Sequence, residues 1–105
     1  MNMNIYTVWD MKAGVFLAPF TIQSDGLARR AMAGCLMEDE HMFARHPEDF
    51  ALFHVGEWDD LTAGIEPCTP RAIATLLEIR IELHRVQEAQ STQLSLISDN
   101  QEQSA

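Results

Sequence analysis

The chain has 105 residues, of which 47% are hydrophobic, so its length suits one folded domain and its composition excludes overall disorder. Sixteen acidic residues against seven basic ones give a net charge of −9, which argues against anionic membrane surfaces and allows at most a local nucleic-acid patch. No apolar run reaches the ~18 residues of a membrane helix, no secretory signal is apparent, and the two cysteines lack C-x-x-C spacing, so we expect a cytosolic protein with reduced thiols.

The first part of the chain predicts a β-hairpin. Residues 5–10 and 15–22 are rich in β-branched and aromatic side chains, and Gly14 between them can supply the positive φ of a tight turn. Pro19 has no N–H group, so the second strand is expected to lie at a sheet edge or to end early.

A helix and a third strand are predicted next. Ser24 suits a helix N-cap, and apolar residues at helical spacing predict a helix over residues 25–37. Residues 38–46 would form a looser helical segment that ends before Pro47. The strand at residues 50–58, FALFHVGEW, has two alternating sets that are both largely apolar. One helix can cover one face, so a second helix or a second subunit is expected over the other.

The C-terminal part predicts a short extended segment at residues 65–68 and a long helix over residues 70–90. Thr69 suits the N-cap of this helix and Pro70 its first position. A rival reading of the same stretch is a strand, because apolar and charged residues alternate, but the cap and the helix-forming composition favour the helix. The apolar members of that alternation are Leu77, Ile79, Ile81 and Leu83.

The expected fold is therefore α+β: a small antiparallel sheet built from the hairpin and the third strand, with one helix after the hairpin and a long C-terminal helix. Residues 1–90 would form a single domain, and the Ser- and Gln-rich residues 91–105 a mobile tail.

No pattern of catalytic residues is apparent, so we expect neither an enzyme nor a cofactor or metal site. Glu38 and His41 form one E-x-x-H, whereas metal sites of that type need two such pairs and further carboxylates. Cys35 and Cys68 have no local feature that marks a nucleophile, and His54 reads as a packed or rim residue of its strand.

Binding of single-stranded DNA is one functional hypothesis. Trp9 and Trp58 would stack on bases, and Lys12, Arg29 and Arg30 would contact phosphates. Aromatic residues of the strands also fit a core between sheet and helices, and the core is favoured for Phe16, Phe50 and Phe53.

The last helix supports a second hypothesis, a homodimer. An apolar seam at alternating three- and four-residue steps is typical of paired helices, and the alternative is an ordinary core helix. A dimer would also cover the second apolar face of the third strand. The seam consists of Leu76, Ile79, Leu83 and Val86.

Two segments resemble a known family. One is the early pattern K-x-G-x-F-x-x-P-F, and the other is the run HPEDFALFHVGEWDD at residues 46–60, followed by Thr62 and Gly64. Over roughly residues 5–67 the chain resembles the small nonstructural protein of gokushovirus-type microviruses, which are tailless single-stranded DNA bacteriophages. The early pattern is carried by Lys12, Gly14, Phe16, Pro19 and Phe20.

The resemblance implies a phage protein that is made in the cytoplasm of the bacterial host and is absent from the mature virion. It further implies single-stranded DNA binding during viral genome synthesis or packaging. The negative charge favours an alternative: an acidic homodimeric module that docks on phage replication or capsid proteins, or on a host factor, without touching DNA.

Overall fold

A computed structural model describes the backbone of residues 2–103 and the side chains of residues 2–92. In this part of the chain one antiparallel sheet packs against helices, which confirms the predicted α+β class. A 3-10 turn, Pro47–Asp49, precedes the fourth strand. The strands are β1 (Asn2–Asp10), β2 (Val15–Phe16), β3 (Phe20–Ile22), β4 (Phe50–Asp59) and β5 (Ile65–Thr75), and the helices are α1 (Asp25–Leu36), α2 (Met42–Arg45) and α3 (Leu76–Gln103).

The N-terminal strand β1 lies inside the sheet. The strand order is β2-β1-β4-β5, and β3 pairs with β1 along the same edge as β2. The predicted second strand over residues 15–22 is therefore two short strands separated around Pro19, as the missing N–H group favours. Gly14 has a φ of 71° in the turn before β2, so the predicted hairpin turn is confirmed.

The hydrophobic core lies between one face of the sheet and the helices. Tyr6 and Val8 of β1 and Leu52 of β4 are buried against α1, α2 and the first turn of α3. The helices contribute apolar side chains at helical spacing to this one layer: Ala28, Met32, Leu36, Phe43, Leu76 and Ile79.

The C-terminal prediction was wrong in one respect. Residues 65–75 form the edge strand β5, and α3 begins at Leu76, six residues later than predicted. The helix reading of the stretch from Leu76 onward is confirmed over the strand alternative. Thr75 caps the helix, because its Oγ1 accepts from the N–H of Glu78 at 3.1 Å. Thr69-Pro70 lies within β5 instead, where a proline is tolerated because the strand pairs on one side only.

Residues 91–103 continue α3 as helical backbone, while residues 104–105 lie outside the described residues. The mobility proposed for residues 91–105 stays a prediction, and so does the domain boundary at residue 90. Over the described residues, none of the helices has the length and apolar character needed to cross a membrane.

Candidate functional site

The sheet has a second face, on which the structure places none of the described helices. Side chains alternate along β1, so Ile5, Thr7 and Trp9 point away from the core that contains Tyr6 and Val8. Residues paired with these three on the neighbouring strands lie on the same face of the sheet, which we call the open face. It comprises Met3, Ile5, Thr7, Trp9, Phe16, Thr21, Ala51, Phe53, Gly56, Trp58, Ile65, Pro67, Ala72 and Thr75.

None of the residues of the open face carries a charge, although the protein has 23 charged Lys, Arg, Asp and Glu side chains and a net charge of −9. The apolar character of both alternating sets in β4 predicts that both of its faces are covered. In the described residues the helices cover only the core face, because α1, α2 and α3 all pack on the same side. Within the open face, Thr7 and Ala51 are nevertheless buried, at 4% and 8% exposure. The open face is therefore an apolar surface available to a partner.

An aromatic cluster forms one end of the open face. The rings of Trp9 and Phe16 lie 4.7 Å apart between centroids, and Phe16 meets Phe53 edge-on at 5.5 Å. The prediction that Phe16 is a core residue was wrong, since 44% of it is exposed, whereas Phe50 is buried as predicted. Phe53 is half-buried on the open face. This cluster offers rings to a ligand or a second chain.

A shallow apolar depression forms the other end. Trp58 and Ile5 line it with Ile65, which is 68% exposed. Pro19 and Phe20, from the β2–β3 edge, complete its rim. Ile65 was not predicted as a surface residue of this face, because the extended segment was expected to end at residue 68, whereas β5 runs to Thr75.

The five residues predicted to bind nucleic acid are not brought together. Trp9 and Trp58 lie on the open face at opposite ends of the β1–β4 ladder. Arg29 and Arg30 belong to α1, in the helical layer on the other side of the sheet. Lys12 lies in the turn before β2, with its Nζ 3.5 Å from Asp49.

Carboxylates neutralise most of the few cations. Lys12 pairs with Asp49, and three of the six arginines have carboxylate partners in the structure. Among the described side chains, Arg30, Arg80 and Arg85 have no such partner. The arginine pairs are Arg29–Glu82, Arg45–Glu40 and Arg71–Asp25.

The predicted dimer seam divides into two pairs of residues. Leu76 and Ile79 are 0% and 4% exposed in the core of the single chain. Leu83 is half-buried and Val86 is 49% exposed, and both line a groove between α1 and α3. The dimer itself stays a prediction, and of the four predicted seam residues only Leu83 and Val86 remain available for it.

A polar cluster lies at the boundary of the sheet and α1. The hydroxyl of Tyr6 donates to Asp25 at 2.6 Å, and Arg71 of β5 donates to the same carboxylate at 3.1 Å. The bonds from Arg71 and Tyr6 hold the pKa of Asp25 below its usual value. Burial, with the bond to Asp25, raises the pKa of Tyr6 above its usual value. The cluster ties three elements together.

His41, of the E-x-x-H pair, has a local structural role. His41 is the N-cap of α2, and its Nδ1 accepts from the N–H of Phe43 at 3.1 Å. His46, Glu48 and Asp49 bring one ligand atom each within 4.8 Å of one another. Asp49 in that group also pairs with Lys12.

The comparisons with known proteins give one match. A family model described as Phage ORF5 protein matches residues 3–79. No curated protein and no solved structure matches the chain. The family match confirms the resemblance to a phage nonstructural protein, with which the microvirus type is consistent. It ends at Ile79, which among the described side chains of α3 is the last in the hydrophobic core.

Proposed function

The chain belongs to the phage ORF5 protein family, and we propose that it is a nonstructural accessory protein, made in the host cytoplasm and absent from the virion, that works as a homodimer. Two copies would meet through their open faces. Their acidic outer surfaces would then dock on basic phage or host proteins that handle the genome. The supporting observation is the absence of charge on the open face of a strongly acidic protein.

Electrostatic repulsion between two acidic copies favours a dimer interface on the open face over one on any charged surface. Two copies that each carry nine negative charges repel one another, so contact is least costly where neither copy presents a charge. The open face meets this condition and also presents aromatic and β-branched side chains, whose removal from water contributes about 25 cal/mol per Å². A nucleic acid, by contrast, would find no phosphate-binding cation on this face.

The size of the open face predicts a reversible dimer. The open face consists of four rows of residues on three to four strands. With ~6.8 Å between rows and ~4.8 Å between strands, its projected area is roughly 400–500 Å². Two such faces bury on the order of 1,000 Å², which is at the low end for specific interfaces. We therefore expect dissociation in the micromolar range.

Phe16 and Val15 provide a matched test of the dimer. They are neighbours on β2 with similar exposure, 44% and 51%, but point to opposite faces of the sheet. In sedimentation equilibrium, Phe16→Lys should shift the protein to monomer at concentrations where the wild type is dimeric, because it places two lysines in the interface. Val15→Lys, opposite Asp10, should leave the dimer intact. A wild type that is monomeric at several hundred micromolar, or equal effects of the two variants, would contradict the dimer.

Docking without DNA has its own test. Phage replication and capsid proteins can be co-expressed with the tagged chain and captured after nuclease treatment. Retention of a basic phage protein after nuclease supports docking. Loss of every such protein on nuclease treatment shows that nucleic acid bridges them.

Single-stranded DNA binding in genome synthesis or packaging is the second candidate, because the Trp9–Phe16–Phe53 cluster could stack bases. It is tested by fluorescence polarisation of a labelled single-stranded oligonucleotide at low and near-physiological salt. Micromolar binding that weakens steeply with salt, and that Trp9→Ala reduces about tenfold or more, would establish it. No binding at low salt would remove it.

A further inference from the structure

Cys68 lies in an irregular part of the edge strand β5. The register of β4 with β5 pairs His54 with Arg71 and Gly56 with Pro67, so residues 68–70 face the single residue Val55. This bulge takes Cys68 out of the regular ladder and leaves it exposed, with its Sγ 3.5 Å from Nδ1 of His54. Sequence spacing did not predict the pair, because the strand and its bulge were not recognised.

Hydrogen bonds fix the orientation of His54. Its Nε2 lies 3.0 Å from Oδ1 of Asn4, while Nδ2 of Asn4 donates to the carbonyl of Gln23 at 2.8 Å. A carbonyl oxygen only accepts, so the amide of Asn4 must present its NH₂ to Gln23 and its oxygen to His54. Neutral His54 therefore carries its proton on Nε2, and the lone pair of Nδ1 faces the thiol of Cys68.

The surroundings hold this arrangement in place. The ring of Tyr6, from β1, meets His54 edge-on at 5.3 Å. Asp25 of α1 and Arg71 of β5 form their ion pair nearby and interact electrostatically with His54 and Cys68 respectively. A nucleophile beside a base that a third group orients is the arrangement that activates cysteine in Cys-His-Asn sites. Here the thiol lies on an exposed strand edge, which makes it accessible to small molecules.

We propose that Cys68 is a reactive thiol that His54 activates as a base and Asn4 positions, and that it exchanges with low-molecular-weight disulfides. Nδ1 of His54 accepts the proton of the thiol, and the sulfur of Cys68 attacks one sulfur of the disulfide. The S–S bond breaks, a mixed disulfide forms on Cys68, and the departing thiolate takes the proton from His54. Cys68 is oxidised and the disulfide is reduced, so no further oxidant is needed. A small thiol reverses the reaction.

The test uses the full chain with Cys35→Ser, so that Cys68 is the single thiol. The rate of reaction with 5,5′-dithiobis(2-nitrobenzoate) is followed between pH 5.5 and 8.5, with the urea-unfolded protein as reference. At pH 6.5 we expect the folded protein to react at least about tenfold faster than the reference, and His54→Asn to remove this advantage. Asn4→Ala should react several-fold more slowly than its parent. Asn4→Asp keeps an oxygen that accepts from Nε2 of His54, so it should react at the rate of the parent.

Glutathione disulfide gives a second readout by mass spectrometry. The wild type should acquire one glutathionyl group on Cys68 under conditions that leave His54→Asn unmodified. A folded protein no faster than the unfolded reference, or a pH profile unchanged in His54→Asn, would overturn the proposal. If His54→Asn does not fold by circular dichroism, the comparison of folded and unfolded wild type still decides the outcome.

Discussion

Gly56 lies in β4 opposite Pro67 of β5, where the backbone of β5 comes close to it. A Cβ atom at this position would stand 2.6 Å from the carbonyl oxygen of Glu66 and 3.3 Å from Cα of Pro67. The contact involves backbone atoms, so relief would require the two strands to separate. Gly34 in α1 offers the opposite case, because nothing lies within 4 Å of a Cβ added there.

The two glycines therefore predict opposite effects of the same substitution. Gly56→Ala should lower the free energy of unfolding by about 2 kcal/mol, through overpacking against β5. Gly34→Ala should raise it by up to ~1 kcal/mol, because alanine is the better helix former. Urea denaturation of both variants measures the difference, and equal effects would show that β4 and β5 are farther apart than described.

Asp25 predicts a pH dependence of stability. Because Arg71 and Tyr6 lower its pKa in the folded protein, its contribution is fully present above the unfolded pKa of about 3.9 and is lost as the pH falls through the lower folded value. Asp25→Asn should therefore destabilise the protein at pH 7, and the difference from wild type should shrink by pH 3. Urea denaturation at the two pH values checks this. Asp39→Asn, at an exposed carboxylate, is the control and should change little at either pH.

At the scale of the elements, the side-chain hydroxyl of Thr75 caps the start of α3, directly after the end of β5. The N-cap Thr75 satisfies the N–H of Glu78, while Leu76 immediately enters the core. The strand can turn directly into the helix because the first helical residue is already buried. Thr69, which the sequence favoured as the cap, lies instead in the bulge of β5.

Two threonine substitutions test this junction. Thr75→Ala should lower the free energy of unfolding by about 1 kcal/mol, as expected for a lost N-cap. Thr69→Ala, at an exposed strand position, should change it by less than ~0.5 kcal/mol. Thermal denaturation of both variants compares them, and the reverse order would place the start of the helix at residue 70.

Local patterns predicted most elements but not their arrangement. The hairpin, α1, β4 and the helical character of α3 follow from composition, caps and periodicity, which act within a few residues. β5 was missed because Thr69-Pro70 has the local chemistry of a helix start, and the need of β4 for a partner on its second edge is a tertiary effect. The open face could not be predicted from the sequence for the same reason. Only the strand registers show that its uncharged residues, scattered from Met3 to Thr75, share one surface.

On the scale of the whole molecule, α3 gives the protein an elongated shape. The overall extents are 63 × 35 × 21 Å, and a helix of 28 residues is about 42 Å long at ~1.5 Å per residue. Every described side chain from His84 to Thr92 is exposed, so this part of α3 adds little burial. The core depends on the first turns of the helix, up to Ile79.

Truncation after Gln90 tests the predicted domain boundary. The shortened chain should lose helical circular dichroism but keep its free energy of unfolding within about 0.5 kcal/mol, because the described residues it loses are exposed. The proposed dimer should be unaffected by the truncation in sedimentation equilibrium, because the open face is intact. A loss of more than ~2 kcal/mol would show that the distal helix contributes to folding.

The interior position of β1 has a consequence for synthesis on the ribosome. β1 is translated first, but its longest ladder joins Asp10 to Phe50 and Asn2 to Asp59, positions about 40 to 57 residues apart. Until β4 has emerged, β2 and β3 can protect only one edge of the nascent β1, and its second edge stays exposed to other chains. The sheet therefore cannot close until the residues of β4 have left the ribosome, and until then each nascent chain presents an unpaired strand to its neighbours.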